Sequence, residues 1–391
     1  MAQFILLRGA KQLLTLRGPS GARRGAALHD LGVIEDGSVL IRDGVIAAVG
    51  STRRIENLKE ARKALEIPAN GKVVMPGFID ASLNLSLEAV QSAPKRRRVG
   101  DFYEDSLTLL RSCLQHGTLA AEVKASAEAE DFRSDVSVIR KLSHIGSDPV
   151  RMVRTWLINR SSLEPENKDL LGTLNVLARR KLIHCIEFTP AAEASLDENA
   201  LSVAEEAGLA TKLLWLGGSV EMLLALLDQY SPPAVRCLSQ VTAAEAALFS
   251  ERNITTVFGT GKELFEGSAV TSARQVADAG GAIALSSGYQ SSSAASFSMQ
   301  MSVSLAVARM GLTAEEAFVA STINAAHALG CAHLTGSLEL GKQADMIMLN
   351  VSDYREVARQ FGINHVEMAI REGSIVLSRN GWGADSNRES A

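Results

Sequence analysis

Val74-Met75-Pro76-Gly77-Phe78-Ile79-Asp80-Ala81-Ser82-Leu83-Asn84-Leu85 marks the place where this 391-residue sequence changes texture. From about residue 71 to 335, short apolar strands alternate with helical stretches. Strands read at 77–81, 118–123, 150–158, 184–188, 211–216, 235–239, 254–258 and 282–287. Between them lie amphipathic runs such as Asp105–Gln115, Asn167–Leu182, Glu198–Gly208, Val220–Gln229 and Thr242–Arg252. Thr313-Ala314-Glu315-Glu316 adds a helix start, with an N-cap threonine and acids in the first turn. Strands separated by helices pair in parallel through crossovers, and eight such units close most economically as a (β/α)8 barrel.

The flanks are different. Residues 34–46 carry two Asp-Gly pairs (Asp36-Gly37 and Asp43-Gly44) around an apolar run, a hairpin signal. Residues 344–349 and 369–377 are β-rich, the second with a glycine turn. Neither end has enough strands to cover its own apolar face, so the two are expected to join in one composite β-sandwich. The division is therefore 1–70 and 336–380 for the two parts of the β-domain, 71–335 for the barrel, and 381–391 for a small polar tail expected to be disordered.

Hydrophobic residues at 46% and charged residues at 21% give a globular chain with a large core. A net charge of −4 and only 5% aromatics argue against nucleic acid and against an anionic membrane surface. No apolar run reaches the ~18 residues of a membrane span. The N-terminus lacks a basic n-region and a cleavage signal, and reads as a strand. Cys113, Cys185, Cys237 and Cys331 are scattered, the pattern of buried thiols in a cytoplasmic protein.

In a barrel, chemistry sits at the C-terminal ends of the strands. The opening stretch resembles the amidohydrolase signature, in which Pro-Gly-x-x-Asp-x leads into His-x-His. Two histidines two apart on a strand face the same side and can share a metal ion. Here those positions are Ser82 and Asn84, weak neutral ligands. Gly336–Asp345 is similar to the superfamily's C-terminal motif. Phe361–Val366 and Gly117–Lys124 resemble the imidazolonepropionases, ring-opening hydrolases of histidine breakdown. The resemblance spans nearly the whole chain.

It also implies a set of working positions. The barrel histidine corresponds to Arg160, the third metal histidine to Leu214, the catalytic glutamate to Gly217, the Asp-His pair to Ser239-Gln240, and the metal aspartate to Gly288 beside Tyr289. The substrate-gripping Ser-Gly-Tyr-Gly becomes Ala125-Ser126-Ala127-Glu128, and the propionate-holding arginine becomes Gln91, with Lys95–Arg98 just beyond. None of the seven histidines falls at a strand C-terminus, so no three or four ligands converge at the ~2.0–2.3 Å a zinc site needs.

Two readings stay open for Glu122, Lys124 and Glu187, all late on barrel strands: a residual pocket with a general acid or base, or an ion pair filling the emptied site. His184 with Glu187 reads poorly as a relocated metal site, because alternation puts them on opposite faces. Lys95–Arg98 and Ser286–Ser293 read as a solvated loop and a flexible loop, or as ligand grips. Asp80 reads as a structural acceptor of backbone hydrogen bonds. The resemblance implies a metal-dependent hydrolase of cyclic C–N bonds, whereas the replaced positions imply no cofactor and a pseudoenzyme: a ligand-binding, regulatory or partner subunit. Arg160, Gln240 and Tyr289 would then face a small cyclic or anionic ligand. A homodimer, or a hetero-oligomer with an active paralogue, is the expected assembly. The alternative is a metal-independent hydrolase of a cyclic amide.

Overall fold

The computed structural model describes residues 3–84, 99–126, 137, 140–141, 150–158, 169–189, 202–261, 272–289 and 296–379. Its first strands are β1 (Phe4–Leu14), β2 (Val33–Arg42), β3 (Val45–Ser51), β4 (Leu65–Pro68) and β5 (Val73–Pro76). Only one of the two Asp-Gly pairs makes the hairpin. Asp43 and Gly44 both take positive φ and turn the chain from β2 into β3, as a two-residue hairpin requires. Asp36-Gly37 instead lies inside β2, where left-handed Asp36 sits beside the register shift between Leu7 and Ala10 of β1. It is a bulge rather than a turn.

Gly77 separates β5 from the barrel. A Cβ there would lie 2.4 Å from the Leu119 side chain, so the close approach of these backbones needs a residue without one. The barrel strands follow as β6 (Phe78–Asn84), β7 (Thr118–Ser126), β8 (Arg151–Ile158), β9 (Cys185–Phe188), β10 (Ala210–Trp215), β11 (Ala234–Cys237), β12 (Thr255–Gly259) and β13 (Ala282–Ser286). They pair in parallel in sequence order from β6 to β13. Described helices between and after them include α1 (Val99–Gln115), α2 (Asp169–Arg179), α3 (Val220–Tyr230), α4 (Ala243–Glu251), α5 (Ser272–Asp278), α6 (Met299–Arg309), α7 (Ala314–Ala320) and α8 (Ile323–Ala328). Thr313 caps α7 through a full capping box with Glu316.

Every second strand residue points inward, and the inner face is layered. Ile79, Ala120, Val153, Ala234, Val257 and Ala284 form one apolar cluster with Ala325, Ala326, Leu329 and Cys331 of α8 and its exit. Small residues let α8 plug the N-terminal end of the barrel. The outward strand faces pack with the helices into the main core, which includes Phe78, Trp215, Phe249, Phe258 and Phe318.

The chain returns to its start with β14 (Met346–Leu349), β15 (Val366–Arg371) and β16 (Ser374–Ser378). β14 pairs antiparallel with β5, so the two ends of the chain form one eight-stranded sheet, ordered β16-β15-β14-β5-β1-β2-β3 with β4 on β1. Its core takes Leu7, Leu13, Ile41 and Ile67 from one end and Met346, Met348, Met368 and Ile370 from the other. Neither half has this core alone. No helix among the described residues is long and apolar enough to cross a membrane. The tail 381–391 lies outside the described residues.

Candidate functional site

One inward step past the alanine layer, the barrel interior becomes charged. Glu122 and Lys124 on β7, Thr155 on β8, Glu187 on β9 and Lys212 on β10 are all buried, and Arg236 on β11 is nearly so. Glu122 Oε1 accepts from Thr155 Oγ1 at 2.6 Å and from Lys212 Nζ at 2.6 Å. Lys124 Nζ donates to Glu187 Oε2 at 2.5 Å and lies 3.1 Å from Glu122 Oε2. That second contact is an ion pair outside hydrogen-bond geometry, since Glu122 Oε2 has no hydrogen-bond partner. Arg236 closes the chain, giving Nη2 to Glu187 Oε1 at 2.6 Å and Nε at 3.1 Å. Two carboxylates and three cations thus form one network spanning five successive strands.

The charges are locked by each other. Burial works against ionisation of Glu187, but Arg236 and Lys124 override it and hold its carboxyl well below the usual range. Burial likewise opposes Glu122, and Lys124 and Lys212 bring it below its ordinary value. Burial, with Arg236 adding to it, lowers Lys124, against the pull of Glu122 and Glu187. Neither carboxylate carries a proton near neutral pH, so neither is poised as a general acid. With two negative and three positive groups, the network's formal charge is +1.

Asp80 joins the first strand to the last. β6 and β13 have no ladder between them; instead Asp80 Oδ1 accepts from Ser287 N at 3.0 Å and from Ser82 N at 3.1 Å, while Oδ2 accepts from Ser287 Oγ. The expected structural role of Asp80 therefore has a definite form: a side chain spans the barrel seam. Complete burial drives its pKa up to about 6, although these hydrogen bonds favour the charged form.

The sequence brought forward Glu122, Lys124 and Glu187, and the fold brings all three together. It missed Thr155, Lys212 and Arg236. Their signal was a charged or hydroxyl residue within an apolar strand, as in Ala234-Val235-Arg236-Cys237, which burial permits only with partners. His184 is outside the network: its Nδ1 accepts from the Arg154 backbone N at 3.0 Å. Ser82 is buried, and Asn84 ends β6 in register with Lys124. Leu214 is buried one inward step beyond Lys212 on β10. Gly217 and Gly288 both have positive φ, and a Cβ on Gly288 would lie 3.3 Å from Gly259 Cα. The backbone of β12 has closed against this position. Gln240 is exposed just after β11, and Tyr289 is half-buried after β13, its ring 6.5 Å from that of Phe297. Gln91, Lys95–Arg98, Ala127, Glu128, His144, Arg160 and Ser291–Ser293 lie outside the described residues.

Known proteins share this architecture, and part of this sequence. Residues 219–376 match the Amidohydrolase family. The chain is 27% identical to the imidazolonepropionase of Brevibacillus brevis over 97% of its own length and 99% of that protein's. The chain carries an Amidohydrolase family domain and is imidazolonepropionase-like over nearly its whole length. The solved guanine deaminase of E. coli superposes with a TM-score of 0.70 at 17% identity, covering 97% of this chain and 100% of that one. An adenosine deaminase from Xanthomonas campestris, solved with bound zinc, gives 0.68 at 18% identity over 96% and 93%. These two establish the shared fold.

A divalent ion does not fit the residues this amidohydrolase presents. Among the described residues, no three His, Cys, Asp or Glu side chains group as metal ligands. The buried carboxylates Glu122 and Glu187 are already engaged by Lys124, Lys212 and Arg236. At an effective dielectric of about 20, a dication about 4 Å from one ammonium is opposed by roughly 8 kcal/mol. The disagreement is chemical: the positions that the resemblance gives to metal ligands hold Ser82, Asn84, Leu214 and Gly288, which offer a hydroxyl, an amide, a hydrocarbon and no side chain.

Proposed function

We propose that this imidazolonepropionase-like amidohydrolase homologue is non-catalytic and works through ligand binding, or as a regulatory or partner subunit. The observation that carries this reading is the residue set at the ligand positions, where among the described residues no three His, Cys, Asp or Glu side chains group together. Hydrolysis of cyclic C–N bonds in this family depends on a metal ion to make water a nucleophile at neutral pH. The positions carried over from the resemblance offer instead Ser82, Asn84, apolar Leu214 and the side-chain-free Gly217 and Gly288.

Gln240 and Tyr289, which follow the C-terminal ends of β11 and β13, are with Arg160 the proposed contacts for a small cyclic or anionic ligand at the rim. The proposed assembly is a homodimer, or a hetero-oligomer with an active relative.

Elemental analysis of protein purified from zinc-supplemented medium tests the central point. The expected metal content is far below one ion per chain. One stoichiometric transition-metal ion per chain overturns the reading. So does turnover of an imidazolone-, hydantoin- or lactam-like substrate that survives chelator and disappears in Glu122→Gln.

A further inference from the structure

A second concave site lies at the opposite end of the barrel. A cavity of about 460 Å³ opens beside the C-terminal end of α8, where the loop after β1 meets the segment leading to β14. Arg23, His327, His333, Lys342 and Glu339 line it, over an apolar contribution from Ile323. The adjoining residues Ala326, Leu329 and Cys331 belong to the cluster that plugs the barrel. The cavity is therefore on the N-terminal side of that plug, away from the strand ends where the family's chemistry is expected.

Its charge is unbalanced. Arg23 is 2% exposed, and no carboxylate among the described residues pairs with it; its guanidinium donates to the carbonyls of Pro19, Gly21 and Leu16. Neutral carbonyls satisfy the N–H groups, and the carboxylates of Glu339 and Asp30 act on the charge only from beyond ion-pair distance, in a poorly solvated place. Lys342 Nζ donates to Ser337 Oγ at 2.6 Å and has Glu339 at 3.4 Å. The imidazole of half-buried His327 and that of exposed His333 have no hydrogen-bond partner among the described residues. Burial and the nearby charges of Arg23 and Lys342 bring His327 down to about 4, so it is neutral at physiological pH, with one nitrogen able to donate.

The site is also held in place. Asn324, completely buried on α8, accepts from Arg23 N at 2.6 Å and donates to Arg23 O and to the Ile283 carbonyl of β13, both at 2.9 Å. One amide side chain thus clamps the backbone of Arg23 to the barrel. The cationic group is fixed before any ligand arrives, which lowers the ordering cost of binding.

We propose that this cavity is a second ligand site, which takes a small anionic metabolite bearing a phosphate or a carboxylate. Arg23 and Lys342 supply the charge, and His327 and His333 supply the free donors. The proposal is independent of how the barrel rim is used. Calorimetric titration of the full chain, with chelator present and ionic strength matched with chloride, tests it with two probes, inorganic phosphate and malonate.

At least one probe is expected to bind saturably near one per chain, and the tighter of the two identifies the head group. Lys342→Gln is expected to weaken it about tenfold, the scale of one lost charge-assisted contact. His333→Glu, at an exposed position where folding is not at stake, is expected to weaken it at least as much. Circular dichroism checks that both variants keep the fold. Absence of saturable binding by either probe overturns the proposal, as does binding that both folded variants retain unchanged.

Discussion

Glu187→Gln is expected to destabilise this protein by about 3–5 kcal/mol, the range for breaking one side of a buried ion pair. Glu187 accepts from both Lys124 and Arg236. A glutamine keeps the shape but removes the charge, leaving a network of one carboxylate and three cations. Its amide would also point an N–H group at one of two cationic donors. The loss should appear as a lower urea midpoint at unchanged slope. The double change Glu187→Gln with Arg236→Met, which removes a cation along with the carboxylate, should recover part of it. A midpoint within error of the parent for Glu187→Gln would mean that the network contributes no cohesion.

Asp80→Ala is expected to cost about 3 kcal/mol or more. The carboxylate is the acceptor for Ser287 N and Ser287 Oγ across the seam and for Ser82 N on its own strand, and alanine leaves buried donors unpaired at about 1–3 kcal/mol each. The same residue sets a pH dependence. Its folded pKa of about 6 exceeds the ordinary 3.8, so its contribution is fully present below about pH 4 and is lost as pH rises through 6. At 1.36 kcal/mol per unit, that window spans roughly 3 kcal/mol. Glu122 and Glu187 act in the opposite sense, because both are held below 4.5. Their contribution is present above that value and is lost as pH falls through their lowered folded values. His184 and His327, both lowered to about 4 by burial, add stability that is lost as pH falls from 6.5 through 4, so the Asp80 contribution is read as a difference between parent and variant. Asp80→Asn removes this component, so the stability of the parent minus that of the variant should fall by roughly 3 kcal/mol as pH rises from about 4 to about 7. A difference that stays constant over that range would contradict the assignment.

The network and the Asp80 clasp also hold the barrel interior together. A buried salt-bridge network is not a general stabiliser, because desolvation offsets much of the attraction. Here each carboxylate faces two cations, so removing either carboxylate leaves a buried cation unpaired. The network reads as a device that holds five strands in one relative arrangement. The Asp80 clasp does the same for the remaining seam between β6 and β13.

Local patterns in the chain determined a good deal. The eight short apolar strands alternating with helices, the Thr313 cap and the Asp43-Gly44 turn are consequences of near-neighbour chemistry, and the barrel follows from them. The joining of the two β-rich ends follows from neither having strands enough to cover its own apolar face. Glu122, Lys124 and Glu187 were legible as candidates because polar residues within apolar strands announce themselves. Only the closed barrel decided what they touch. Strand alternation says which side chains point inward, but not that Lys212 reaches Glu122 or that Arg236 reaches Glu187, since those contacts depend on how neighbouring strands are staggered. Asp36-Gly37 shows the same limit, a turn signal overruled by the pairing of β1 with β2. The cavity around Arg23 and His327 was invisible in the sequence, because its walls lie some 300 positions apart and meet only when the chain's two ends fold beneath the barrel.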